Sequence, residues 1–192
     1  AQMEQHYEEH ATAHEATVSR GFTVLRPTSV TIPAGETIRD FRTPPEPGRD
    51  IRSLLFGGFA RCAYIAQRFQ SDPERRFAAI LETDPQVIKW MKPAPRQFQI
   101  HYRVDDAYEP DFVVETATEK LLCEPKAASE MEDPEVQDKA RAAVLWCQRA
   151  SDHDRQHGGK PWRYLLIPHD AVNASRTLAG LVSQFEVPGE PR

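Results

Sequence analysis

The stretch from Tyr108 to Lys126 constrains the fold of this chain more than any other. Two short apolar runs, Phe112–Val114 and Leu121–Cys123, are joined by a polar turn. Each carries an acidic group at its outer end, Asp111 before the first and Glu124 after the second. Runs this short, bounded by turn residues, read as buried strands. Paired as a hairpin, they bring Asp111 beside Glu124. Residues i and i+2 of a strand share a face, so Lys126 points the same way as Glu124, with Pro125 between them.

Helical and extended signals alternate around that hairpin. Ser71, Asp72, Pro73 and Glu74 make a helix start: Ser71 and Glu74 match a capping box, and proline suits the first turn. Phe77, Ala78, Ile80 and Leu81 supply its buried face. Val87–Trp90 is a short apolar piece ended by Pro93 and Pro95. Phe98, Ile100 and Tyr102 alternate with polar residues, predicting a first strand. Tyr108–Glu115 and Lys120–Lys126 are the second and third. Asp133 and Pro134 cap a helix predicted to run to Ala150, with Val136, Ala140, Ala143, Val144 and Cys147 toward the core. Trp162–Ile167 reads as a fourth strand and Asn173–Phe185 as a closing helix. Trp90, Trp146 and Trp162 read as core. Upstream, Asp50–Phe69 shows helical spacing interrupted by Gly57 and Gly58. Residues 2–17 read as a helix, Gly21–Ile32 as extended and Pro33–Gly48 as a loop. The order helix, strand, strand, strand, helix, strand, helix predicts an α/β fold, a mixed sheet with helices on both faces.

The 192 residues suffice for one domain with a core. No apolar run is long enough to span a bilayer, and no signal-peptide pattern is visible. Cys62, Cys123 and Cys147 are widely spaced and odd in number, which points to a reducing, cytoplasmic setting and away from a zinc knuckle. The formal charge of -5 does not advertise a nucleic-acid binder, but local patches matter more than the sum. Arg68, Arg75, Arg76, Lys89, Lys92 and Arg96 form a basic zone, followed by Lys139 and Arg141. No Gly-x-x-x-x-Gly-Lys-Ser/Thr occurs, so no ATP site of that type is visible. His6, Glu9 and His10 match His-x-x-Glu-His, a zinc-hydrolase pattern. Its flanks are polar on all sides, which favours a solvated helix face over a shielded zinc site.

Two carboxylates and a lysine at one spot suit a divalent metal and an activated water. Pro110-Asp111 followed by Glu124-Pro125-Lys126, inside that element order, resembles the PD-(D/E)xK nuclease superfamily. The segments FQSDPERRFAAILETD, VIKWMKPAPRQFQIHY, YEPDFVVET, LLCEPKAASEM and KPWRYLLIPH resemble the C-terminal nuclease region of the restriction subunit of type III restriction–modification enzymes and their helicase–nuclease relatives. The resemblance covers most of the chain, most firmly from Arg52 to Gly180.

The resemblance implies a restriction-endonuclease-like domain over residues 50–186. Residues 1–49 would be a lead-in from an upstream superfamily-two helicase absent here, and 187–192 a loose tail. It implies Mg2+, with Mn2+ able to substitute, held by Asp111, Glu124, the Pro125 carbonyl and Glu74. Lys126 would orient the attacking water. Arg75, Gln137, Lys139 and Arg141 would contact DNA. Double-stranded DNA, the helicase and a modification methyltransferase subunit are the implied partners, in phage defence. The alternative is a non-catalytic DNA-binding or docking module on the same fold; the intact Asp111, Glu124 and Lys126 set speaks against it.

Overall fold

The structure, a computed structural model, describes residues 35–103 and 106–189. The predicted helix at 2–17, the extended Gly21–Ile32 segment and the His6–His10 pattern lie outside the described residues.

The molecule is built on a mixed sheet of four strands. Strands β1 (Ile38–Asp40), β2 (Leu55–Gly57) and β3 (Ala66–Gln67) form a small sheet, and helix α1 spans Asp72–Thr83. Strand β4 (Val87–Met91) follows, then the two-residue strands β5 (Ile100–His101) and β6 (Ala107–Tyr108), β7 (Phe112–Thr116) and β8 (Lys120–Lys126). Helix α2 (Pro134–Gln156), β9 (Trp162–Pro168) and α3 (Leu178–Phe185) complete the chain. The main sheet has the order β4-β7-β8-β9; β4 and β8 run antiparallel to β7, and β9 runs parallel to β8 through the α2 crossover. The architecture is therefore α/β with mixed sheets.

Apolar alternation along β7 and β8 feeds two cores. Phe112, Val114, Leu121 and Cys123 face one side, where Phe77, Leu81, Leu178 and Leu181 from α1 and α3 pack. Val113 and Leu122 face the other, against Ala140, Ala143 and Cys147 of α2. Buried on both faces, the central strands read as near-continuous apolar runs. Trp90 and Trp162 are buried, and Trp146 packs partly buried against Trp162 with ring centroids 4.9 Å apart. Both edges of the sheet are covered. The N–H of Ala63 donates to the Trp90 carbonyl on the β4 side, and that of Val187 donates to the Tyr164 carbonyl on the β9 side. Covered edges remove a template for pairing with other chains.

Several boundaries differ from expectation. Asp50–Phe69 is a 3-10 turn and two strands, not a helix. The cause is tertiary. A Cβ on Gly57 would sit 2.6 Å from Ile38 Cγ2, so glycine is needed for β1 and β2 to approach. The consecutive N–H groups of Ala60, Arg61 and Cys62 all donate to the Glu82 carboxylate, which also accepts from Trp90 Nε1 at 2.7 Å. Those donors would be spent internally in a helix. The first strand of the main sheet is β4 rather than the Phe98–Tyr102 segment, which contributes only β5 of a side hairpin. Helix α2 runs on to Gln156, and α3 begins at Leu178 rather than Asn173. Before residue 50, β1 pairs with β2 and Phe41 is fully buried, so part of the expected lead-in belongs to the folded unit. Val187, expected in a loose tail, is held to β9.

Candidate active site

The β7–β8 register sets the site. Phe112 pairs with Cys123 and Val113 with Leu122. One step further along this antiparallel ladder, Asp111 lies opposite Glu124. The backbone N–H of Asp111 donates to Glu124 Oε2 at 3.3 Å. Lys126, two residues on, places Nζ 3.4 Å from Glu124 Oε1. The β7 ladder stops at Cys123, so at Pro125 strand β8 has only β9 beside it, and the missing proline N–H is tolerated there. The hairpin expectation and its consequence, Asp111 beside Glu124, match this geometry.

Helix α1 brings Glu74 to the same end of the sheet. Ser71 Oγ accepts from the Glu74 N–H and donates to Glu74 Oε1, while Glu74 Oε2 accepts from the Gln70 N–H. This is the predicted cap, with the carboxylate reaching one residue further back than the usual box. Lys92, the residue after β4, then links the two halves. Its ammonium is 2.7 Å from Glu74 Oε2, 3.3 Å from Asp111 Oδ1 and 4.5 Å from the centroid of the Phe112 ring. Glu74 and Asp111 therefore meet through a lysine, and Glu124 lies on the other side of Asp111.

Burial decides the electrostatics. Glu124 is only 8% exposed, and its carboxyl is pushed up to about 8, first by burial and then by the charge of Asp111. Asp111 is also raised, by burial ahead of the opposing pull of Lys92. Burial disfavours the Lys92 ammonium, yet Asp111 and Glu74 outweigh it and hold the group above the lysine range. Tyr108, buried beneath, donates its hydroxyl to Glu124 Oε2 at 3.0 Å, and its own acidity is suppressed by burial and by Glu124.

A carboxyl raised on folding binds its proton more tightly in the native state. The resulting stability is fully present below the unfolded value near 4.5 and is lost as pH rises toward 8. We expect the melting temperature without divalent cations to fall between pH 5.5 and 8; a flat or rising profile in thermal melts contradicts this placement of Glu124.

The expected DNA contacts divide. Arg75 is 4% exposed, with Nη1 donating to the Phe41 carbonyl at 2.8 Å and Nε paired to Asp72 at 2.7 Å. It ties α1 to the β1 segment and is not presented to a duplex, which corrects that expectation. Gln137 donates to the Met131 carbonyl, 2.6 Å away, bracing the turn before α2. Lys139 pairs with Glu135 at 2.6 Å, and Arg141 pairs with Asp138 while remaining well exposed. Burial opposes the charge of Lys139, but Glu135 and, more weakly, Tyr102 and Glu124 hold it above the lysine range. Arg103 joins the same rim through Asp138 at 2.9 Å.

Two site residues were missed from sequence. Lys92 falls in the basic zone, and the signal for its role is that it follows Trp90 by two and so continues one face of β4. Tyr108 reads as strand, and the signal for its role is a hydroxyl three residues before a candidate ligand.

Among the described residues, no three His, Cys, Asp or Glu side chains are gathered to hold a metal ion by themselves. Asp111 and Glu124 bring two carboxylates together. No protein-family model matches the chain, and no curated protein matches it either.

Proposed function

We propose that this chain is a magnesium-dependent DNA endonuclease domain of PD-(D/E)xK type, the hydrolytic part of a type III restriction-like helicase–nuclease. The observation that carries this reading is the hairpin register, which gathers Asp111, Glu124 and Lys126 at one end of the central strands. The order α1, β4, β7, β8, α2, β9 around a mixed sheet supports the fold assignment.

Asp111 and Glu124, with the Pro125 carbonyl, would hold the magnesium ion. The donor set fits: all are hard oxygens, and both carboxylates are unfavourable as buried anions, Glu124 also through the charge of Asp111 and Asp111 also through that of Glu74. A bound magnesium ion supplies neutralisation of the phosphate charge and polarisation of water. Tyr108 fixes Glu124 through Oε2 and shields it from solvent. Lys126 Nζ, beside the open carboxylate edge, donates to the attacking water and orients its oxygen toward phosphorus. A new P–O bond forms from that oxygen as the bond to the leaving oxygen breaks; the attacking water gives up a proton to solvent and the leaving oxygen takes one from solvent. Lys139, Arg141 and Arg103 grip phosphates along the rim and displace counterions, so affinity for duplex DNA falls as added salt shrinks the entropy gained on their release. Helicase and modification subunits act outside this chain, in a cytoplasmic defence system.

The test is supercoiled plasmid with Mg2+ or Mn2+ at low and moderate salt. Nicked or linear product should appear, stop with EDTA, and decline from about 50 to about 200 mM salt. Cutting that persists in EDTA sinks the reading. Duplex binding without cleavage, by the chain joined to its ATP-driven part, favours the docking-module alternative.

A further inference from the structure

The proposed centre leaves Glu74 unaccounted for. The resemblance implies that this carboxylate completes the metal site, but its oxygens are already engaged. Oε1 accepts from Ser71 Oγ, and Oε2 accepts from the Gln70 N–H and from Lys92 Nζ. Lys92 also reaches Asp111 Oδ1. Its side chain is 12% exposed, so the ammonium is a buried bridge rather than a surface ion pair. Phe112 floors the position.

The two sides of the centre are built by different layers. Glu74 comes from α1, on the face of the sheet carrying Phe112 and Trp90. Glu124 and Lys126 share the face of β8 turned toward α2. Asp111 sits at the strand end between them, touching Lys92 through Oδ1 and Glu124 through its backbone N–H. A cation bridging Glu74 Oε2 and Asp111 Oδ1 would have to stand where the Lys92 ammonium stands.

We propose that Lys92 is a built-in replacement for a second cation: its ammonium occupies the Glu74–Asp111 bridge and restricts the centre to one divalent ion, on the Glu124 side. This rests on the metal-centre reading above and deepens it. Lys92 acts as a positioning residue. It fixes Asp111 Oδ1, neutralises Glu74, and leaves Glu74 outside the ligand set. A lysine suits this task as a compact point charge with three donors, whereas the planar arginine fork does not fit two oxygens from separate carboxylates as a point bridge.

The experiment is calorimetric titration of Mn2+ at pH 8, with no DNA, into the wild type, Glu74→Gln, Lys92→Met and Lys92→Met/Glu74→Gln. The wild type should take up one Mn2+. Glu74→Gln should keep that affinity within about threefold, since an outer carboxylate is not a ligand. Lys92→Met should gain a second Mn2+, and the double variant should return to one. Two sites in the wild type overturn this inference alone. So does a tenfold or greater loss of affinity in Glu74→Gln, or Lys92→Met binding Mn2+ as the wild type does. If Lys92→Met fails to fold, the wild-type stoichiometry and the Glu74→Gln affinity decide the matter. A wild type that takes up no Mn2+ overturns the metal-centre reading and this inference with it.

Discussion

Glu124→Gln should lower metal-dependent DNA cleavage by roughly 10^3-fold while making the metal-free protein more stable at pH 8. Both effects follow from one property, a buried carboxylate facing another. Glutamine keeps the acceptor oxygen for the Tyr108 hydroxyl and the Asp111 N–H, so local packing survives. It removes a buried negative charge that Asp111 repels, which relieves the native state. On the proposed reading it also removes one of two charged ligands. Losing several kcal/mol of transition-state charge stabilisation at about 1.4 kcal/mol per tenfold gives the stated rate loss. Thermal melts and plasmid-cleavage rates read the two effects separately. A variant that is less stable at pH 8, or that cuts within tenfold of wild type, contradicts the role given to Glu124. Stability and activity moving in opposite directions is a pattern that a merely structural glutamate does not produce.

Asp154→Ala should have the opposite profile, a large loss of stability with no direct part in chemistry. Lys120 begins β8 and places its ammonium 2.8 Å from Asp154 Oδ2, near the end of α2; Trp162 Nε1 donates to the same oxygen at 3.1 Å. Both charged groups are buried, Asp154 completely. Lys120 and Lys126 lie at opposite ends of one seven-residue strand, so this pair sits about 20 Å from the candidate site. Removing Asp154 strands the Lys120 ammonium without its partner. Breaking one side of a buried pair costs about 3–5 kcal/mol, which corresponds to a melting-temperature drop of roughly 10 °C for a chain of this size. Replacing both members, as Lys120→Met with Asp154→Leu, should recover part of the loss, because the apolar pair needs no partner while Trp162 Nε1 stays without its acceptor. Chemical denaturation of the single and double variants checks this. Equal losses in both would mean that the pair contributes through shape rather than charge.

The central hairpin was legible because its information is local. Two apolar runs, a short turn and acidic groups at matching ends leave little freedom in register, and register alone brings Asp111 to Glu124. The start of α1 was legible for the same reason, since Ser71 and Glu74 are one turn apart. Asp50–Phe69 was not. Its apolar spacing suits a helix, but Glu82, twenty or more residues on, draws the N–H groups of residues 60–62 out of any helical ladder. Arg75 misled for a similar reason: its partner, the Phe41 carbonyl, lies 34 residues earlier and leaves no mark near Arg75. Lys92 was hidden by the undervalued Val87–Trp90 segment. Once that segment is a strand of the main sheet, its next residue must fall beside Phe112 and Asp111.

On the proposed reading Lys126 separates chemistry from metal binding most cleanly, because its ammonium lies beside Glu124 without being a ligand. The decisive measurement is the single-turnover cleavage rate of plasmid DNA by Lys126→Ala beside wild type, with Mn2+ affinity measured on both. The account predicts Mn2+ affinity within about threefold of wild type and cleavage reduced by at least about 10^2-fold. Cleavage by Lys126→Ala at the wild-type rate would contradict it.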